Sequence, residues 1–185
     1  MSLQSKLPDV GTTIFTIMSR LAAEHNAINL SQGFPDFDAD PSLILAVSEA
    51  MAKGQNQYAP MPGLPDLNVA IARKLHGDYG WMPDPETEIT VTAGGTQALY
   101  SIIGAMISQG DEVIVLEPSY DSYIPSVVSF GGVVKTVQLL PPSYKVNWDE
   151  VESLITSRTK LIMINTPHNP CGVVLEQADL TRLEE

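Results

Sequence analysis

Three short segments of the sequence carry residue types able to hold a flat, anionic small molecule. In Thr92-Ala-Gly-Gly-Thr-Gln-Ala-Leu99, two glycines stand where a strand would give way to a helix. Such a turn lets the backbone approach an anion closely, and the first-turn N–H groups with the helix dipole favour phosphate. Thr96 adds a hydroxyl donor. The spacing is neither a Gly-x-Gly-x-x-Gly dinucleotide fingerprint nor a lysine-bearing P-loop, so both nucleotide readings lose support. In Glu117-Pro-Ser-Tyr-Asp-Ser-Tyr123, aromatic rings follow a strand end, and Tyr120 falls just beyond the sheet edge, where it can lie over a flat ligand. In Asn165-Thr-Pro-His-Asn-Pro-Cys-Gly172, Asn169 can donate an amide hydrogen to a ligand oxygen while Pro170 and Gly172 fix the loop. Each segment also has an ordinary structural use. A Gly-Gly pair can simply turn the chain, Tyr120 and Tyr123 can pack in a core, and an Asn-Pro pair can open a helix or brace a loop.

The elements that must carry these segments follow from hydrophobic spacing. From Glu88 onward the pattern alternates between short apolar runs and helical periodicity. It predicts strands over residues 89–92, 112–116, 133–139 and 160–165. Helices are expected over 95–107, ended by Gly110, over 119–130 and 148–155, and from Glu176 onward. Repeated βαβ units with mostly apolar short strands imply a parallel sheet with helices on both faces. The three segments then stand at the carboxyl ends of separate strands, the rim where open α/β sheets bind ligands. An anion cradle, a stacking ring and an amide donor on one rim fit a planar, phosphorylated, oxygen-bearing cofactor such as pyridoxal phosphate.

Ahead of this region lie an arm and three predicted helices. Ile14, Met18, Leu21 and Ala22 recur at helical spacing after Thr12 and Thr13, and this helix needs a partner surface. Asp40 is a candidate N-cap for a second helix, with Pro41 in its first turn and Gly54 after its end. The third is expected from Pro65 to Tyr79. Between the last two, Asn56-Gln-Tyr-Ala-Pro-Met-Pro-Gly63 is an irregular loop bearing an aromatic residue.

Composition narrows the function classes. The chain has 185 residues, 44% of them hydrophobic, enough to bury a sizeable core. Ten Lys and Arg against 22 Asp and Glu give a net charge of −12 with no basic run, which disfavours nucleic acid and anionic membranes as partners. One cysteine, Cys171, excludes an intrachain disulfide and points to the cytoplasm. The apolar runs are far shorter than a membrane span, and no metal-ligand cluster stands out.

The segments together resemble the amino-terminal half of a fold-type I, class I pyridoxal-phosphate aminotransferase. Asn29-Leu-Ser-Gln-Gly-Phe-Pro-Asp-Phe37, Asn56-Gln-Tyr-Ala-Pro60 and Asn165-Thr-Pro-His-Asn-Pro170 are most similar to the methionine and kynurenine branch. The resemblance implies an α/β fold, part of a fold-type I large domain with an amino-terminal arm and helix. Residues 1–40 would belong to the small domain and 41–185 to the first part of the cofactor-binding large domain. Gly94, Gly95 and Thr96 match the segment that holds the cofactor phosphate. Tyr120 matches the ring stacked on the pyridine, and Asn169 the amide that meets the ring's phenolic oxygen and borders the substrate carboxylate. Tyr58 matches a tyrosine that reaches the phosphate of the neighbouring subunit of a homodimer, and Gly33 a backbone contact to the substrate carboxylate. The implied reaction moves an amino group from an amino acid, methionine or aromatic-like, to a 2-oxo acid. A carbon-sulfur β-lyase on the same scaffold is the alternative activity, and a noncatalytic module the alternative if 185 residues is the native length.

The Schiff-base lysine, the aspartate that pairs with the pyridine nitrogen and the arginine that grips the substrate carboxylate are expected beyond Glu185. Catalytic residues are therefore expected outside this chain, which is read as a fragment. Lys135 and Lys160 fall at or near strand starts, and the run from Lys160 to Thr166 spans roughly 20 Å at about 3.3 Å per residue. They belong to the wrong end of the sheet, and Lys6, Lys53, Lys74 and Lys145 read as solvated. This yields a first prediction. The 185-residue chain, treated with pyridoxal phosphate and borohydride, should show no stable pyridoxyl adduct by peptide mass mapping; an adduct on one specific active-site lysine would overturn the assignment.

Overall fold

A computed structural model describes residues 4–8, 10–33 and 35–184. The chain divides into two compact units, residues 14–93 and residues 1–13 with 94–185.

The first unit is helical. Its helices are α1 (Ile14–Glu24), α2 (Pro41–Ala52) and α3 (Pro65–Tyr79). Asp40 caps α2 as expected, its Oδ1 accepting from the Ser42 N–H at 2.8 Å and the Ser42 hydroxyl at 2.6 Å, and Pro41 takes the first turn, where a missing N–H does no harm. α3 ends on Gly80 at φ 73°, a left-handed stop that glycine takes without strain. Neither α1 nor α2 buries a residue. Ile14, Leu43, Ile44 and Leu45 are more than half exposed, so the apolar stripe read from the sequence is real but uncovered.

The strand expected over 89–92 is absent. A strand needs a neighbouring ladder, and here the backbone groups are otherwise engaged. The Val91 N–H donates to the Pro62 carbonyl at 2.9 Å, and the Ile89 carbonyl accepts from the Asn68 side-chain amide at 3.5 Å. Apolar character at Ile89 reflects burial against this loop rather than a sheet position.

The second unit is the predicted α/β layer. α4 (Gly95–Met106) leads to β1 (Glu112–Glu117), α5 (Tyr123–Ser129), β2 (Val133–Gln138), α6 (Trp148–Leu154), β3 (Thr159–Met163) and α7 (Gln177–Glu184). The strands lie in the order β2-β1-β3 and both pairings are parallel. β1 is central, and Val113, Ile114, Val115 and Leu116 are 0–2% exposed. Strand alternation divides them between two cores. Val113 and Val115 pack with Ile103 of α4, its C-cap Ile107, and Tyr123 and Val127 of α5, while Ile114 and Leu116 pack with Val137, Leu139 and Val151. Each such side chain contributes about 1.5–3 kcal/mol relative to exposure.

Two expected elements are shorter than their apolar runs. The helix expected over 119–130 is confined to α5 because Pro125 has no N–H to donate and is accepted only in a first turn, which fixes the start near Tyr123. The strand expected to reach Asn165 ends at Met163, and polar residues beyond it enter the Asn169 turn.

At the amino end of β1, Glu112 is fully buried yet charged. Its carboxylate accepts from the Thr156 hydroxyl at 2.8 Å and Arg158 Nη2 at 2.6 Å, with Lys135 Nζ at 3.7 Å. The Thr156 hydrogen bond first, then Arg158 and Lys135, hold its carboxyl below the usual range against the opposing effect of burial. The carboxylate thus ties β1 to β2 and to the turn before β3.

The α5–β2 turn is closed by Gly132. A Cβ there would stand 2.7 Å from Val127 Cγ1, 2.8 Å from Ile107 Cγ2 and 3.2 Å from the Val127 carbonyl oxygen. Gly132→Ala is therefore expected to lower stability by about 1–3 kcal/mol in a denaturant titration, the usual cost of overpacking. An unchanged midpoint would contradict this packing.

Candidate functional site

The Gly94–Thr96 segment forms the start of α4. Gly94 is the N-cap at φ 94° and ψ 163°, a conformation that only glycine enters readily, and no side chain caps the helix. No heavy atom lies within 4 Å of where a Cβ would be on Gly94 or Gly95, so the approach to this helix end is open. Thr96 and Tyr120, from separate turns of the chain, are brought together here, with their hydroxyl oxygens 3.1 Å apart.

Tyr120 lies three residues past β1, partly buried against the α4/α5 core. Its ring meets Tyr123 edge-on, with centroids 5.7 Å apart and planes at 74°, a favourable aromatic geometry. Tyr123 is 9% exposed. Burial, and then the nearby Tyr120, push its phenol above the ordinary value, opposed by a hydrogen bond from the Asn165 side chain. Contacts therefore run from Thr96 through Tyr120 to Tyr123. Both uses foreseen for these tyrosines coexist, since Tyr123 is core and Tyr120 borders the opening.

Asn169 is exposed in the turn that follows β3, and the Asn169–Pro170 peptide is cis. The turn is closed by the His168 N–H donating to the Val173 carbonyl at 2.8 Å and the Gly172 N–H donating to the His168 carbonyl at 2.6 Å; Gly172 adopts φ 72°. Cys171 is half-buried against the Ile114/Leu116 core, and burial pushes its thiol up, which disfavours the reactive thiolate. Lys135 and Lys160 stand in β2 and β3, Lys135 directed to Glu112 at the opposite end of the sheet from Tyr120.

Tyr58 and Gly33 belong to the helical unit. Tyr58 is fully exposed on the loop between α2 and α3, and Gly33 is exposed with open space around its α-carbon.

Sequence reasoning passed over His168 and Asn165. Both lie in the same segment as the predicted amide donor, and polar residues soon after an apolar strand were the available signal. The imidazole is 6% exposed and its Nδ1 has no hydrogen-bond partner.

The open glycine start of α4 with two hydroxyls beside it, and a half-buried ring at the same rim, fit a planar phosphorylated cofactor. Residues 25–185 match the aminotransferase class I and II family. The chain belongs to that family. Members depend on pyridoxal phosphate, and the resemblance drawn from the motifs is borne out. The chain is 53% identical over 180 residues to methionine aminotransferase of Escherichia coli (strain K12), covering 97% of this chain and 47% of that protein. It is 33% identical over 195 residues to kynurenine–oxoglutarate transaminase of Dictyostelium discoideum, covering 95% and 44%. The crystal structure of YbdL from Escherichia coli, identified with a methionine aminotransferase function, matches with a TM-score of 0.94 at 52% identity, over 99% of this chain and 48% of that one. N-succinyldiaminopimelate aminotransferase from Mycobacterium tuberculosis matches with a TM-score of 0.91 at 40% identity, over 98% and 48%. The chain thus spans about half the length of the curated relatives it matches.

Burial alone pushes His168 below its ordinary value of 6.5, so the folded protein favours the neutral ring. The unfolded chain takes up a proton first as pH falls. This contribution to stability is complete above about pH 6.5 and is lost between there and the lower folded value. Unfolding midpoints measured across this window should fall for the natural protein and fall less for His168→Gln. Equal slopes would show that His168 does not titrate as described.

Proposed function

We propose that the protein of which these residues form part is a pyridoxal-phosphate-dependent aminotransferase that moves an amino group from an amino acid, methionine or aromatic-like, to a 2-oxo acid. The observation that carries this reading is the meeting of Thr96 and Tyr120 hydroxyls, 3.1 Å apart, at the glycine-opened start of α4. The identity of 53% to a methionine aminotransferase supports the substrate class.

In this reading the first-turn amides of α4, from Gly94 and Gly95 to Thr96, and the Thr96 hydroxyl hold the cofactor phosphate, aided by the helix dipole. Tyr120 covers the pyridine face, and Tyr123 keeps that ring from collapsing into the core. Asn169 donates its amide to the phenolic oxygen and borders the substrate carboxylate, and the Gly33 backbone is assigned a contact to that carboxylate. When bound, the cofactor supplies the electron sink and carries the amino group between the two half-reactions. The residues of this chain position and shield that chemistry. Schiff-base formation is assigned to a lysine outside residues 1–185.

The same reading treats residues 1–40 as part of a small domain and 41–185 as part of the large one. It makes the protein a homodimer in which Tyr58 reaches the neighbouring subunit's cofactor phosphate. Support comes from the full exposure of Tyr58 and the uncovered apolar faces of α1 and α2. A cytoplasmic location is proposed from the single cysteine. No described helix is long and apolar enough to cross a membrane.

The test uses the full-length protein. Tyr120→Ala should raise the pyridoxal-phosphate dissociation constant about three- to tenfold, the range expected for losing one aromatic contact. Methionine should be converted to its 2-oxo acid only when a second 2-oxo acid is supplied. Ammonia release from amino acid without an acceptor would favour the β-lyase instead, and unchanged cofactor affinity would remove Tyr120 from the site.

A further inference from the structure

Asn68 is a polar residue at the start of α3 and is 3% exposed. Its amide nitrogen faces three backbone carbonyls from separate parts of the helical unit. They are Pro62 at 3.3 Å, Pro85 at 3.2 Å and Ile89 at 3.5 Å. An amide has two N–H groups, so these are shared contacts that hold the carbonyls around one centre. The other face is equally constrained. A Cβ on Gly63, which adopts φ 113°, would stand 2.9 Å from Asn68 Oδ1 and 2.7 Å from Val91 Cγ2.

Around this centre the loop before α3 is closed by backbone bonds. The Gly63 N–H donates to the Pro60 carbonyl at 2.9 Å, and the Val91 N–H to the Pro62 carbonyl at 2.9 Å. The other end of the loop is tied to α2. The Gln55 N–H donates to the Ala50 carbonyl at 3.0 Å, and Asn56 Nδ2 to the Met51 carbonyl at 3.3 Å. Tyr58 stands between these two anchorages with its side chain fully exposed. Nothing packs against that side chain, so the position of its backbone is set by the anchors on either side. Asn68 is the buried polar group at the second of them.

We infer that Asn68 is a positioning residue that, through its amide to the Pro62, Pro85 and Ile89 carbonyls, fixes the 55–64 loop in the geometry that presents Tyr58 to the neighbouring subunit's cofactor phosphate. The inference rests on the role proposed for Tyr58. Asn68 touches neither cofactor nor substrate. Removing its N–H groups takes a donor from the Pro85 and Ile89 carbonyls, the latter contact buried, while the Pro62 carbonyl keeps the Val91 N–H.

A double-mutant cycle in the full-length protein tests it, reading the pyridoxal-phosphate dissociation constant. Asn68→Asp keeps the side-chain shape and turns the donor into an acceptor facing three carbonyls. Asn68→Asp and Tyr58→Phe should each weaken cofactor binding about tenfold, and the double variant should be no weaker than the worse single one. In the cofactor-free protein, hydrogen exchange at the Gly63 and Val91 amides should speed up in Asn68→Asp and not in Tyr58→Phe. If Asn68→Asp does not accumulate in folded form, Asn68→Ser is carried through the same cycle. Unchanged cofactor affinity in the Asn68 variant, or effects of the two sites that multiply, would overturn the positioning role while leaving Tyr58 in place. Unchanged affinity in Tyr58→Phe would instead overturn the role of Tyr58 and this inference with it.

Discussion

The burial of β1 on both faces is the constraint on which the α/β unit depends. Val113 and Val115 cannot leave the α4/α5 side, nor Ile114 and Leu116 the α6 side, without moving apolar side chains into water. A one-residue slip would exchange the two sets. Glu112 gives the register an electrostatic fix as well, since its buried carboxylate needs Thr156 and Arg158 at one edge and Lys135 at the other. A buried charge deprived of such partners is destabilising, whereas the paired charge specifies which strand positions lie side by side.

With the register fixed, geometry at the other end follows. Parallel strands place all carboxyl ends on one side, so the turn after β1 and the turn after β3 open in the same direction. Tyr120 and Asn169 are carried there by chain direction alone. The edge-on contact of Tyr123 with Tyr120 then ties the turn after β1 to the start of α5. The buried charge, Glu112, is thus at the amino end of the sheet, while the carboxyl end carries the Thr96 and Tyr120 hydroxyls beside the exposed Glu117–Gln138 pair.

Much of this was legible in the sequence where one physical signal dominated. Asp40-Pro41 marked the start of α2, and the continuous apolar run at residues 113–116 marked a strand buried on two faces. The Gly94-Gly95 pair was legible as a helix start although the strand expected before it is absent, and Tyr120 as an aromatic just past β1. The remainder was hidden by tertiary competition. Residues 89–92 have strand composition, but the Asn68 amide and the Pro62 carbonyl claim their backbone groups, and neither partner is close in sequence. The strand start at Glu112 was legible but its buried ion pair was not, because only the fold brings Arg158 to it. Nothing in the sequence singled out Asn68, whose side-chain amide meets carbonyls six, 17 and 21 residues away.

The most direct measurement is a crystal structure of the full-length protein grown with pyridoxal phosphate. Phosphate density is expected at the α4 start, within hydrogen-bond reach of the Gly95 and Thr96 amides and the Thr96 hydroxyl, with the pyridine ring against Tyr120 and the Asn169 amide at its phenolic oxygen. A cofactor bound away from α4, or one whose ring makes no contact with Tyr120 or Asn169, would contradict the site described above.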